Sequence, residues 1–320
     1  MSDIYTDELK FVTEHRRYLH QHPELSLVEH KTTEYIISVL EDIGVSYYQV
    51  LSTGVIAVLN GNSETTLGFR ADIDALPVHE QNDVEYKSSV DNVMHACGHD
   101  GHTTALLLFV KRAKTLSDEG KLKHNCVFIF QPSEEANAGA NLLLNAWDNR
   151  PAFDAVFGVH LMPDEDEGLV LYRDGELTAS ATEYHFTVKG ASAHVAQKHQ
   201  GVSALETILK IASEVGSIQQ FHLDGLNRNI IHMGKIQSGE AVNTVPANAG
   251  LSGTIRTYEA SDLAVIKSQL TKIKEAAELL YGASVELYYT EGYPAVKNDD
   301  ELRETVETSI TGAGLRGIEK

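Results

Sequence analysis

The chain has 320 residues, 42% hydrophobic and 22% charged, the composition of an ordinary globular protein and enough for one large or two moderate domains. Its 46 acidic and 26 basic side chains give a net charge of −20 with neutral histidines. That excess argues against nucleic acid or an anionic membrane as partner, because both attract basic surfaces. Cys97 and Cys126 are too few for a disulfide framework, no leader-like segment opens the sequence, and the longest apolar run, Ala105 to Val110, is far too short to span a bilayer. The expectation is a cytoplasmic protein.

In chain order, Leu9 to Leu40 is predicted as two helices around a turn at His22-Pro23. Strand-like runs follow at Gly54 to Leu59 and Thr66 to Ile73. Thr103 to Leu116 carries apolar side chains at helical spacing, at Leu106, Leu107, Phe109, Val110 and Ala113. Cys126 to Phe130 and Ala155 to His160 are short apolar runs of the kind buried strands show. Strands alternating with helices predict an α/β layer with a mainly parallel sheet. From about Ala181 a smaller pattern begins, with strands at Glu183 to Val188, Ile230 to Ile236, Ala249 to Tyr258 and Ser284 to Tyr289. Helices are predicted at Ser203 to Ile218 and Asp262 to Leu280. This α+β unit could fold by itself, with boundaries near 180 and 292.

Chemistry concentrates at a few strand ends. Met94 to His102 holds three histidines, a cysteine and an aspartate, with Gly98 and Gly101 loosening the backbone just ahead of the predicted helix. Imidazole and thiolate together suit zinc and related transition metals. Glu134 and Glu135 follow the apolar run ending at Phe130, where one carboxylate could ligate metal and the other act as general base. Asp72 and Asp74 share a face by the period of two, and a carboxylate there could orient a metal-bound imidazole. His160 ends another apolar run and could complete the ligands of a two-metal site. In the second unit, His194, Asn243 and Arg256 carry groups that could hold a substrate carboxylate or a developing oxyanion.

These segments, in this order, resemble the dinuclear metallohydrolase family of carboxypeptidase G and the aminoacylases. The likeness is strongest to its amidohydrolase branch of hippurate hydrolases, auxin-conjugate hydrolases and N-acetyldiaminopimelate deacetylases. It runs through Arg16 to His20, His22 to Leu25, Arg70 to Pro77, Met94 to His102, Gln131 to Glu135, Gly158 to Pro163, and Asn243 to Pro246 with Gly253 to Arg256. The resemblance implies an α/β catalytic domain, helices on both faces of a mainly parallel sheet, at residues 1–180 and 293–320. It implies an inserted α+β lid and dimerisation domain at 181–292. By position, Cys97 resembles the thiolate bridging two divalent ions (zinc, manganese, cobalt or nickel). His99, Glu135 and His160 resemble terminal ligands, Glu134 the general base, and Asp72 the carboxylate beside the metals. His194 resembles the lid histidine that reaches the partner's site in family dimers, so a homodimer through the lid is expected. The family has a further metal-binding histidine near its C-terminus, and this chain ends at Lys320 before such a motif, so the expected site lacks one ligand.

The resulting expectation is metal-dependent deacylation of a small N-acyl amino acid. Within the branch, Ile73 to Glu80 and Thr178 to Tyr184 most resemble the enzymes that convert N-acetyl-L,L-diaminopimelate to L,L-diaminopimelate and acetate in lysine biosynthesis. A hippurate-type or general N-acetylamino-acid hydrolase is the nearest alternative. Two further classes remain: a cysteine hydrolase with Cys97 as nucleophile, and a catalytically inactive binding or dimerisation protein.

Overall fold

In the computed structural model, which describes residues 2–319, contacts divide the chain into two units, Met1–Asp164 and Glu165–Lys320. Met1 and Lys320, the outer limits of the expected catalytic domain, lie outside the described residues.

The first unit runs α1 (Ser2–Gln21), α2 (His30–Ile43), β1 (Tyr47–Val50), β2 (Gly54–Leu59), β3 (Thr66–Asp72), α3 (His99–Asp118), β4 (Asn125–Gln131), α4 (Gly139–Ala146) and β5 (Ala155–Gly158). Its sheet has the order β1-β2-β4-β3-β5. β3 pairs parallel with both β4 and β5, whereas β1 with β2 and β2 with β4 are antiparallel. The sheet is therefore mixed, which corrects the expectation of a mainly parallel one. The cause is local: only Leu51 to Thr53 separate β1 from β2, and so short a connection can only fold the strand back on itself.

Strand alternation divides the core between the two faces. Val55, Ala57 and Leu59 of β2 and Phe128 and Phe130 of β4 pack with Ile36, Val39 and Leu40 of α2 and with Leu107 and Val110 of α3. Ile56, Val127 and Ile129 pack on the opposite side with Leu143 of α4 and Trp147. Helices thus cover both faces, as expected.

The second unit runs β6 (Leu169–Tyr172), β7 (Gly175–Thr178), β8 (Thr182–Lys189), α5 (Ala204–Phe221), β9 (Asn229–Ser238), β10 (Asn248–Thr257), α6 (Ala260–Tyr281), β11 (Ser284–Glu291), β12 (Val296–Asn298), α7 (Arg303–Gly312) and β13 (Arg316–Glu319). Four strands form an antiparallel sheet, β11-β8-β10-β9. Tyr184, Phe186 and Val188 point from β8 into a core completed by Ile208, Ile211 and Val215 of α5 and Ile266 and Leu270 of α6. The stretches flanking residues 181–292 pair with each other, β6 with β13 and β7 with β12. At the junction the Ala181 amide donates to the Tyr293 carbonyl, and the Gly292 amide donates to the Ala181 carbonyl, both at 2.9 Å. A Cβ on Gly292 would stand 2.5 Å from that carbonyl oxygen, so the chain can leave the sheet beside its entry point only as glycine. Among the described residues no helix is long and apolar enough to cross a membrane.

Candidate metal centre

The parallel half of the first sheet sets up the site. Register places Asp72 beside Gln131 and Arg70 beside Gly158, so the C-terminal ends of β3, β4 and β5 lie together. Asp72 stands at the first end, Glu134 and Glu135 just past the second, and His160 just past the third. Such strand ends are where α/β sheets gather ligands.

The histidine segment meets them through α3. That helix begins at His99, four residues before the predicted start, because Gly98 adopts a left-handed conformation (φ 84°) and caps it. The apolar periodicity is visible only from Leu106 onward, which is why the polar first turn read as loop. His99 and His102 are therefore helical neighbours rather than loop residues.

The hydrogen bonds assign the tautomers. His99 is fully buried, and its Nδ1 donates to the Asp74 carbonyl oxygen at 2.9 Å. Its Nε2 is left with a lone pair and no hydrogen-bond partner, 3.6 Å from Asp72 Oδ2 and 3.7 Å from Glu135 Oε1. Glu135 Oε1 is likewise buried without a partner. His160 uses the same device: Nδ1 donates to the Leu161 carbonyl at 2.7 Å, and Nε2 lies 3.7 Å from Cys97 Sγ. Among the described residues three donor sets fall within 4.8 Å, namely Cys97/His99/His160, His99/Glu134/Glu135 and Asp72/His99/His102. All three share His99.

His102 belongs to the same histidine segment, where the sequence assigns it no role of its own, and its chemistry is different. Its Nε2 accepts the Leu161 amide at 2.8 Å, which leaves Nδ1–H to donate to Asp72 Oδ1 at 2.6 Å. With both nitrogens engaged it is a strut, not a ligand, and ties the Asp72 strand end to the loop bearing His160. The spacing of three from His99 was the available signal. Arg70 Nη1 donates to the other Asp72 oxygen at 2.7 Å. Burial opposes ionisation of Asp72, yet the His102 hydrogen bond and the Arg70 charge hold it well below the usual carboxylate range. His95 belongs to no donor set. It is buried without a hydrogen bond at either nitrogen, and burial lowers its pKa to about 4, so it sits in the site's wall as a neutral ring.

Two groups carry shifts that bear on reactivity. Burial, then the charges of Glu135 and Asp72, push the Glu134 carboxyl up. Burial, then the Glu135 and Glu134 carboxylates, raise the Cys97 thiol to about 12. A thiol among carboxylates stays protonated unless a cation joins it, which speaks against Cys97 as a free nucleophile. The donor set fits such a cation: His99 Nε2 and Glu135 Oε1, both buried without a hydrogen-bond partner, face each other at 3.7 Å, and the carboxylates Asp72, Asp74 and Glu135 around the ring favour positive charge there.

The remaining expected residues lie in the second unit. His194 is exposed; its Nδ1 accepts the Ala196 amide at 3.2 Å, and its backbone bridges to Thr244. The exposed Asn243 gives its carbonyl to the Val195 amide at 3.0 Å, which brings it beside His194. Arg256 projects from β10 and donates to Thr254 Oγ1 at 2.6 Å.

The chain is similar to several known proteins. A hydrolase of Staphylococcus haemolyticus is 58% identical over 315 residues, covering 98% of this chain and 82% of that protein. A crystal structure of a dinuclear metal binding peptidase of the M20 family from Bacillus subtilis superposes with a TM-score of 0.81 at 30% identity, over 98% of this chain and 82% of that one. A crystal structure described as an aminohydrolase from methicillin-resistant Staphylococcus aureus gives a TM-score of 0.90 at 28% identity, over 99% and 84%. The model of peptidase family M20/M25/M40 matches residues 68–319, which takes in the ends of β3, β4 and β5 and the start of α3. The chain belongs to peptidase family M20/M25/M40, a family of hydrolases.

Proposed function

We propose that this chain is a dinuclear, metal-dependent amidohydrolase that deacylates an N-acyl amino acid. The observation that carries the reading is the cluster around His99, where thiol, imidazoles and carboxylates from four separate segments converge with lone pairs left unpartnered. Cys97, His99, Glu135 and His160 would hold the ions; zinc, manganese, cobalt and nickel all suit this mixed donor set. The B. subtilis structure, of a dinuclear metal binding peptidase, supports the count of two. When bound, the ions supply Lewis acidity, polarising the acyl carbonyl and lowering the pKa of water toward neutrality.

The chain's own groups do the rest. Glu134, made more basic by burial and by its acidic neighbours, takes the proton of the attacking water on a carboxylate oxygen. It then delivers that proton to the leaving amine nitrogen. Asp72, fixed by Arg70 and His102, keeps its negative charge beside His99. His194, Asn243 and Arg256 carry the donors that a substrate carboxylate or developing oxyanion needs. The second unit also serves as lid and as the contact of a homodimer in this reading.

Within the class, N-acetyl-L,L-diaminopimelate remains the proposed substrate, on sequence resemblance alone. The structure gives much of Ile73 to Glu80 a scaffold role: Ile73 is core, Asp74 orients His99, and Glu80 holds His20 at 3.0 Å. The test is turnover on a panel of N-acetylated and N-benzoylated amino acids, each with a chelator control. Chelator-sensitive release of acetate, fastest from N-acetyl-L,L-diaminopimelate, is expected. Preference for N-benzoylglycine would move the substrate to the hippurate type, and no turnover on any member would overturn the amidohydrolase reading.

A further inference from the structure

Among the described residues Glu29 is the most fully buried carboxylate outside the metal cluster, with no residual exposure. It stands at the N-cap of α2, where an acidic side chain would ordinarily cap its own helix, yet it makes no such bond. Its Oε1 instead accepts the backbone amide of Ser133 at 2.8 Å, 104 residues away in sequence. Its Oε2 is buried with no hydrogen-bond partner. Among the described residues no cation pairs with it, and burial pushes its carboxyl up. Burying a carboxylate oxygen in this way costs stability, and the contact it secures is the one to Ser133.

Ser133 opens the loop that carries Glu134 and Glu135. It lies in the left-handed region (φ 57°), as do Asn137 and Ala138 at the loop's far end (φ 63° and 50°). Non-glycine residues persist there only where the surroundings hold them. Two buried carboxylates do the holding: Glu29 takes the Ser133 amide, and Asp74 Oδ2 takes the Glu135 amide at 3.0 Å. Asp74 also receives the Glu134 amide. The three successive amides of Ser133, Glu134 and Glu135 are thus each tied down.

We propose that Glu29 is a positioning residue for the Glu134–Glu135 pair. It acts as a hydrogen-bond acceptor of fixed reach on Ser133 N–H, and its charge plays no part. The proposal rests on the metal-centre reading above. Two variants separate reach from charge. Glu29→Gln keeps the acceptor at the same length without the charge. Glu29→Asp keeps the charge but withdraws the acceptor by one methylene.

Cobalt(II) titration of the 320-residue chain, followed by visible absorption, with a thermal melt of each variant, reads the result without any substrate. Glu29→Gln should bind cobalt like the parent, and Glu29→Asp about tenfold to a hundredfold more weakly while still melting cooperatively. Parent-like cobalt binding by Glu29→Asp, whatever its melting temperature, would overturn the proposal by reducing Glu29 to a stability role. Equal weakening of Glu29→Gln would overturn it in favour of charge. A parent chain that takes up no cobalt would instead overturn the metal-centre reading, and this proposal with it.

Discussion

The most buried candidate residues of the first unit and those of the second are held differently, with the exposed His160 of the first unit standing between the two kinds. In the first unit His99 and Asp72 are buried, and their orientation is fixed by other groups: His99 by the Asp74 carbonyl, Asp72 by Arg70 and His102. In the second unit His194 and Asn243 are exposed, and the side-chain bonds of His194 and Arg256 go to residues two positions away, Ala196 and Thr254. A side chain locked by packing and a second hydrogen bond meets a cation without reorganising. An exposed one loses rotamer freedom when it binds. In the proposed function the buried pair serves chemistry that must be in place beforehand, and the exposed residues of the second unit serve contacts made when substrate arrives.

This contrast can be broken in several ways. The largest effect should follow metal removal: dialysis against chelator should abolish turnover, and added zinc, manganese, cobalt or nickel should restore it. Activity that survived full demetallation would return Cys97 to consideration as a nucleophile. Next, Glu134→Ala should lower kcat by about 10²- to 10⁴-fold, as loss of a general base does, with metal content near the parent's. In the second unit, His194→Ala should cost about 10²- to 10³-fold in kcat if it holds the oxyanion, without loss of metal. A change confined to KM would restrict His194 to ground-state binding. His102→Leu should loosen metal binding by about 10- to 100-fold, because Asp72 loses a donor and the His160 loop loses its tie. Metal titration against the parent checks this, and unchanged affinity would make the His102 strut irrelevant to the site.

The smallest effect concerns stability and pH. Burial raises the Glu29 carboxyl, so the folded chain holds this proton more tightly than the unfolded chain does. The stability it contributes is present below the unfolded carboxylate pKa and is lost as pH rises through the folded one. Glu29→Gln has no charge to bury, so its melting temperature should exceed the parent's at neutral pH, and the gap should close on acidification. Melts across that range would contradict the assignment by showing a constant gap.

Much of the site was legible because its residues stand where apolar runs stop. Asp72, Glu134, Glu135 and His160 each follow such a run, and register then brings three of the strand ends together. The thiol and imidazoles of Met94 to His102 announced themselves by type. What the residues did not show was orientation. His99 and His102 look alike in the sequence, and only hydrogen bonds to Asp74, Asp72 and Leu161 separate a candidate ligand from a strut. Glu29 was invisible because the loop amide it holds is 104 residues away. The antiparallel half of the sheet was missed at β1, where Tyr47–Val50 shows the burial pattern of an edge rather than a clean alternation.

The central claim is that the His99 cluster holds metal and that Glu134, beside it, moves the proton. Metal content per chain, measured together with turnover in the parent and in Glu134→Ala, tests both halves at once. The account predicts metal retained in both proteins and turnover collapsed only in the variant. A parent without metal, or a variant with parental turnover, would contradict it.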